Sequence, residues 1–311
     1  HSHRNCTLEL QRMDIVSQST LAAVMLNPAV YGDGVERVEP LETHISYVFL
    51  AGSYVYKIKK AVDLGFLDFR TLDARRFYCQ EELRLNRRLV PALYLEVIAI
   101  TGSPEHPVLG GDGPAIEYAV KMRRFSQDDL LSRVLSRNEF TPQRLDQWGV
   151  CVAEFHETIS KATSNDAFGT PEAIQQPALE NFSHIRAASG NASRLTALGP
   201  LEQWTVQHCE ALRAVFEERK RAGFVRECHG DLHLGNIALF EDKIAIFDCL
   251  EFSENLRWID VINEVAFLVM DLHDRKRPDL AWRFLNGYLE RTGDYDGLRV
   301  LRFYMVYRAM V

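Results

Sequence analysis

His229-Gly230-Asp231-Leu232-His233-Leu234-Gly235-Asn236, followed by Ile246-Phe247-Asp248, is the stretch from which the rest of the chain can be read. Asp231 and Asn236 stand five positions apart. Phosphoryl-transfer loops use that spacing to set an Asp beside a hydroxyl proton and an amide beside a metal. Asp248 closes a short apolar run twelve residues after Asn236, where such sites carry their main magnesium carboxylate. Ile237 to Phe240 and Lys243 to Phe247 read as two strands joined by Glu241-Asp242, so the two metal-binding groups flank a hairpin. On this reading Asp231 is the base, and Asn236 and Asp248 hold magnesium through oxygen, the ligand atom that suits a hard cation. The bland alternative is a polar turn with Asp248 as a cap.

Phosphoryl transfer also requires a lysine on a strand and a carboxylate to hold it. In Tyr54-Val-Tyr-Lys-Ile-Lys59, alternation puts Val55, Lys57 and Lys59 on one face. Lys57 is assigned to the nucleotide phosphates and Val55 to the base, with Lys59 as the alternative lysine. The next helix, residues 71–90, begins at a Thr71 cap and stops before Pro91. Tyr78, Glu82, Leu85 and Leu89 share one stripe of it, so Glu82 rather than Glu81 is paired with Lys57.

The elements around these residues read as α+β. A helix over 7–26 ends at Asn27-Pro28. Strands follow at 45–50 and 54–59 around Ala51-Gly-Ser53, then the long helix, then strands at 95–100 and 116–122 with a turn at Gly110 to Gly113. After about residue 125 the pattern is helical. Thr141-Pro142 opens a helix bearing Leu145, Trp148, Val152, Phe155 and Ile159; Ser164 to Pro177 reads as loop, with another Thr-Pro start at Thr170; helices follow at 201–221, 258–273, 278–291 and 296–311. Two domains are expected, 1–124 carrying the lysine strand and 125–311 carrying the loop. His1 to His3 reads as a tag remnant. The last helix reaches Val311 with no stop signal, and the chain is expected to be part of a longer protein.

The 311 residues carry 36 basic and 43 acidic side chains. A net acidic chain is a poor general binder of nucleic acid or anionic membrane. No apolar run approaches the ~20 residues that span a bilayer. Six scattered cysteines without a C-x-x-C pair point to reduced thiols and a cytoplasmic setting.

His229 to Asn236 resembles the catalytic loop of the aminoglycoside phosphotransferase and choline kinase superfamily, and Phe247-Asp-Cys-Leu-Glu-Phe252 resembles its metal-binding segment. Arg257-Trp-Ile-Asp260 is similar to a following element whose Asp ties a helix start to the catalytic loop. Glu42 to Ser46, Tyr56 to Lys60 and Arg76 to Arg88 resemble a bacterial subgroup often fused to a C-terminal P-loop ATPase domain, whose motif is absent here. The resemblance implies a bilobal, protein-kinase-like fold and transfer of the γ-phosphoryl of ATP or GTP, with Mg2+, to a small-molecule hydroxyl. It also implies a hinge at Met122-Arg123-Arg124-Phe125 whose backbone meets the purine. The chain departs from it by lacking a Gly-rich phosphate loop. Thr43-His-Ile-Ser46 takes that place, leaving backbone N–H groups or the Thr43 and Ser46 hydroxyls to reach phosphate. Asp128, Asp129 and Glu251 are acidic positions that suit a cationic acceptor.

Two other readings compete. Cys228, His229, Asp231 and His233 have the composition of a zinc or di-metal hydrolytic cluster. A nucleotide-binding module that regulates an attached ATPase domain without catalysis is the other. His156 reads as a core or surface histidine.

Overall fold

A computed structural model describes residues 17–137, 139, 142–188 and 192–311. The chain divides into two compact units. One reaches to Gln127 and includes Glu251–Ser253; the other comprises Asp128–Leu250 and Glu254–Val311.

The first unit is built on an antiparallel sheet of six strands in the order β1-β2-β3-β6-β4-β5. These are β1 (Val38–Glu42), β2 (Ser46–Ala51), β3 (Tyr54–Lys59), β4 (Tyr94–Ser103), β5 (His106–Leu109) and β6 (Glu117–Arg123). Alternation along β3 sorts the site from the core. Tyr56 and Ile58 are buried with Phe49, Ile100, Ala119, and Leu21 and Met25 from the N-terminal segment, where residues 17–24 form helix α1. The opposite face presents Val55, Lys57 and Lys59. Helix α2 (Leu72–Arg87) packs against β4 and β6. Its Thr71 cap accepts from the Ala74 N–H at 3.1 Å. Asp73 in its first turn and Arg84 and Arg87 in its last complement the helix dipole. β2 and β3 join through Gly52-Ser53, and Gly52 takes φ +58°, which a two-residue hairpin turn demands.

The sequence reading passed over β1 and β5. Both are edge strands, and each contains a proline, Pro40 and Pro107. An edge tolerates the missing N–H, but proline and charged residues erase the alternation by which a strand is recognised.

The second unit is mostly helical. It contains α3 (Leu131–Ser136), α4 (Pro142–Thr158), α5 (Pro171–Ala188), α6 (Ala192–Arg221), α7 (Glu254–Arg257), α8 (Val261–Asp274), α9 (Pro278–Thr292) and α10 (Leu298–Arg308). Two small antiparallel pairs complete it: β7 (Val225–Glu227) with β10 (Trp258–Asp260), and β8 (Ile237–Phe240) with β9 (Lys243–Ile246). Every residue of α8 from Val261 to Val269 is buried, so this helix is the axis of the unit. Trp148, Val152 and Phe155 line the buried face of α4. α4 and α9 cross closely: a Cβ on Gly149 would stand 2.5 Å from the Phe284 carbonyl oxygen and the Tyr288 nitrogen.

Three expectations need correction. The segment from Trp258 is helical only from Val261, because Trp258–Asp260 pairs with β7. The expected loop through Pro177 ends at Thr170, whose hydroxyl caps α5 by accepting from the Ala173 N–H at 3.2 Å; Pro177 lies within the helix. Helix α6 starts at Ala192 rather than at residue 201, with Pro200 inside it. Residues 7–16 of the first expected helix, Thr141, and the Leu145 side chain lie outside the described residues. Among the described residues no helix is long and apolar enough to cross a membrane, and Cys79, Cys151, Cys209, Cys228 and Cys249 are free thiols.

Candidate active site

In the first unit, β3 and α2 bring two lysines to one carboxylate. Lys59 Nζ donates to Glu82 Oε2 at 2.7 Å, and Lys57 Nζ lies 2.9 Å from Glu82 Oε1. Glu82 and Lys59 are fully buried, whereas the Lys57 side chain keeps 12% of its surface exposed. Lys59 also ion-pairs with Glu251, itself buried. Burial alone would raise the Glu82 carboxyl, but Lys57 and Lys59 outweigh it and hold the group at about 2. For Lys59, burial opposes the charge; Glu251 and Glu82 reverse that and raise its pKa above the usual lysine value.

Glu81, one position from Glu82, turns outward and pairs with Arg84. Val55 lies opposite Met122 in the sheet. Met122 and Arg123 are the closing residues of β6, not a segment after it. Arg123 and Arg124, with Gly52, Ser53, Phe125 and Ser126, line an open depression of about 480 Å³. Thr43 spends its hydroxyl on the β1–β2 turn, accepting from the Ser46 N–H at 3.0 Å and the Ile45 N–H at 3.3 Å. Ser46 is buried and its hydroxyl makes no hydrogen bond. In this conformation it is closed to a phosphate. Glu251, expected at the acceptor, is instead buried against Lys59.

In the second unit, the loop from His229 to Asn236 is pinned at several atoms. Asn236 Nδ2 donates to Asp231 Oδ2 at 2.9 Å and to the Asp231 carbonyl at 3.0 Å. The oxygen of the same amide is then the group left for a cation. His233 Nε2 is 3.4 Å from Asp231 Oδ2, and its Nδ1 accepts from the Gly235 N–H at 3.0 Å. His229 Nδ1 accepts from the Asp231 N–H at 3.2 Å, so its Nε2 carries the proton and donates to the Phe247 carbonyl at 2.8 Å. The Phe247 N–H in turn donates to the Asn236 carbonyl at 3.0 Å, and the Leu250 N–H to that of His229, also at 3.0 Å. Loop and Asp248 segment therefore form one hydrogen-bonded assembly. Asp248 itself adopts φ +65°, a backbone state that costs energy outside glycine and gathers at functional sites.

Burial raises the Asp231 carboxyl, but the His233 hydrogen bond and the nearby His233, His229 and Arg308 outweigh it and lower its pKa. The group is a carboxylate at neutral pH. His229 is held neutral chiefly by burial, which lowers its pKa.

The sequence reading missed the support beneath this loop. Glu264 of α8 accepts from the Gly230 N–H at 2.6 Å and meets His156 Nε2 at 2.9 Å. Asp271, two turns further along α8, accepts from the Leu234 N–H at 2.8 Å. One signal was available: Glu264 interrupts the apolar run Val261-Ile-Asn-Glu-Val-Ala-Phe-Leu-Val269, and a charge in such a run needs a partner. Asp260, expected to tie a helix start to the loop, caps α8 at the Ile262 N–H and pairs with Arg219, which also holds Asp294. Glu264 makes the tie instead. His156 is a core residue between Glu264 and Tyr288.

The zinc-cluster reading of Cys228, His229, Asp231 and His233 fails on geometry. Both His229 nitrogens are spent on backbone groups, and Cys228 is buried with its thiol toward the Ile259 carbonyl. Among the described residues the metal-sized grouping that does form, His156, Cys228 and Glu264, is a different set whose imidazole and carboxylate already satisfy each other.

Comparison with known proteins agrees with this arrangement. The sequence profile of the phosphotransferase enzyme family matches residues 110–304, more than half of the chain. An uncharacterized protein of Mycobacterium tuberculosis is 31% identical over 274 residues, which is 88% of this chain and 53% of that protein. The chain thus spans about half the length of the curated relatives it matches. Among solved structures, an aminoglycoside phosphotransferase from Streptomyces rimosus in complex with ADP and streptomycin superposes with a TM-score of 0.53 at 17% identity, covering 93% of this chain and 97% of that one. A Plasmodium vivax ethanolamine kinase gives 0.51 at 12% identity, covering 93% and 78%. These structural likenesses show the fold, β-rich in its N-terminal part and helical in the remainder.

Proposed function

Because the chain belongs to the phosphotransferase enzyme family, we propose that it transfers the γ-phosphoryl of ATP or GTP to a hydroxyl of a small-molecule acceptor. The observation that carries this reading is the Asn236 amide bound to the Asp231 carboxylate, within an assembly that also fixes the Asp248 segment. Asp231, ionised and with Oδ2 occupied by Asn236, receives the acceptor proton on its other oxygen. His233 keeps that carboxylate from rotating. Lys57, held through Glu82 yet partly exposed, contacts the nucleotide phosphates, and Val55 and Met122 flank the base. The Met122 and Arg123 backbone marks the purine edge.

The donor set fits a magnesium ion: Asn236 and Asp248 offer hard oxygen atoms, and the Asn236 nitrogen already faces Asp231. Such an ion, when bound, neutralises charge on the transferring phosphoryl group. The Asp231 carboxylate and the Lys57 ammonium do their work with the chain's own atoms. The acceptor stays unassigned beyond its hydroxyl. A C-terminal P-loop ATPase domain in the whole protein remains a proposal that the greater length of the relatives supports.

The test is calorimetric titration of ATP and GTP, with and without magnesium, on the wild type and Asp248→Ala. The expected result is magnesium-dependent binding that the variant loses. Failure of the wild type to bind either nucleotide would remove the reading. The regulatory alternative is favoured by the enclosed Ser46 hydroxyl and the turn-bound Thr43 hydroxyl. It predicts nucleotide binding with no phosphoryl transfer to any hydroxyl acceptor.

A further inference from the structure

Lys59 is a fully buried cation for which the proposed mechanism has no use. An ammonium without water requires ionic partners, and Lys59 has two, from different parts of the chain: Glu82 on α2 and Glu251. Residues 251–253 pack with the first unit although their chain neighbours on both sides belong to the second. Glu251 is their first member and is almost wholly buried. Phe252 adds a ring contact to Phe66, centroids 5.7 Å apart. Asp248 lies three residues before Glu251, and three residues of extended chain span about 11 Å at most.

We propose that the Lys59–Glu251 pair is a tether that positions Asp248 for its metal. The inference rests on the phosphotransfer reading above and assigns to β3 two lysines with separate tasks. Lys57 meets phosphate. Lys59 fastens the strand's far end to the segment that carries the metal carboxylate. Glu82, shared by both lysines, links the two tasks. Asp248 sits in a left-handed backbone state, so its carboxylate direction depends on how its chain is held on either side. On the N-terminal side the hold is the His229–Phe247 hydrogen bond. On the C-terminal side the Leu250 N–H donates to the His229 carbonyl at 3.0 Å, and Glu251, the next residue, is held by Lys59. Lys59 and Glu251 are positioning residues; neither touches substrate.

The experiment is calorimetric titration of ADP, with and without magnesium, on the wild type, Asp248→Asn, the double variant Lys59→Met with Glu251→Met, and Glu251→Leu. The double variant removes both charges together, and Glu82 keeps Lys57, so no buried charge is stranded. The tether predicts that metal-free ADP binding is kept, because Lys57 and Glu82 are intact. The gain that magnesium adds falls by about 10- to 100-fold, as when groups that orient metal ligands are removed. Asp248→Asn loses the same gain directly. A double variant that melts earlier yet keeps the full magnesium gain overturns the tether, since a purely structural pair would behave that way. If the double variant does not fold, Glu251→Leu, in which Lys59 keeps Glu82, carries the same readout: a reduced gain supports the tether and an unchanged one overturns it. A wild type that binds no ADP under either condition removes the phosphotransfer reading and the tether with it. A wild type that shows the magnesium gain, with variants that keep it, removes the tether alone.

Discussion

Replacing Glu264 tests whether the loop from His229 to Asn236 rests on α8 as the hydrogen bonds imply. Glu264 is 1% exposed and serves two partners, the Gly230 N–H at 2.6 Å and His156 Nε2 at 2.9 Å. Leucine has a similar volume, so Glu264→Leu opens little cavity but orphans both groups. Each buried unsatisfied group costs about 1–3 kcal/mol, which predicts a loss of about 2–6 kcal/mol. The unit that contains Glu264 has roughly 180 residues. At about 2–4 °C per kcal/mol for that size, Tm should fall by about 4–24 °C. Glutamine behaves differently. Its oxygen accepts from Gly230, and its amide donates to His156 Nε2 in the tautomer whose Nδ1–H faces the Tyr288 hydroxyl. Glu264→Gln should therefore lose only the charge-assisted part, about 1 kcal/mol. Acid titration sharpens the comparison. Burial raises the Glu264 carboxyl, but the His156 hydrogen bond and its other polar neighbours win and hold it at about 2. A folded-state pKa below the unfolded value means stability that is present above the ordinary carboxylate range and lost as pH falls toward about 2. The wild type should lose stability over that window more steeply than Glu264→Gln. Scanning calorimetry of the three proteins across pH measures all of this. Equal losses in the leucine and glutamine variants, or a leucine variant as stable as the wild type, would refute the hydrogen-bond reasoning.

Three more outcomes are expected. Asp231→Ala abolishes phosphoryl transfer while magnesium-nucleotide affinity, read by calorimetry, stays near the wild-type value; normal turnover would sink the assignment of the base. Lys57→Met leaves Glu82 paired with Lys59 and the fold intact, but weakens nucleotide binding by about 10- to 100-fold, the worth of a hydrogen bond to a charged group; unchanged affinity would return Lys59 as the phosphate lysine. Arg219→Met strands the buried carboxylates of Asp260 and Asp294, which Arg219 holds at 2.6 to 2.9 Å, and should cost about 3–5 kcal/mol; a Tm unchanged by differential scanning would show that the pairs are dispensable.

Local patterns carried much of the fold. Alternation in Tyr54 to Lys59 predicted which side chains share a face, and helical spacing in Trp148, Val152 and Phe155 predicted a buried stripe, because those periods follow from backbone geometry alone. The Thr71 and Thr170 starts were readable because a cap hydrogen bond closes within three residues. Asp231, Asn236 and Asp248 could be singled out because they lie within eighteen positions and their chemistry is written in residue type.

Long-range pairing was not legible. Trp258 to Asp260 has helical neighbours, and only its partner strand thirty-odd residues earlier makes it extended. The same holds for the polar partners: Lys59 meets Glu251 across 192 positions, and Glu264 meets His156 across 108. By itself the sequence determined the α+β class, the strand that bears the lysines and the identity of the loop residues, since each is a matter of local period or local chemistry. Only the tertiary structure decided that Glu82 is shared by two lysines, that Glu251 is buried and that Glu264 rather than Asp260 supports the loop. The physical reason is that an ion pair or hydrogen bond between distant segments leaves no periodic trace in either one; it exists only once burial has removed the water that would otherwise satisfy both groups.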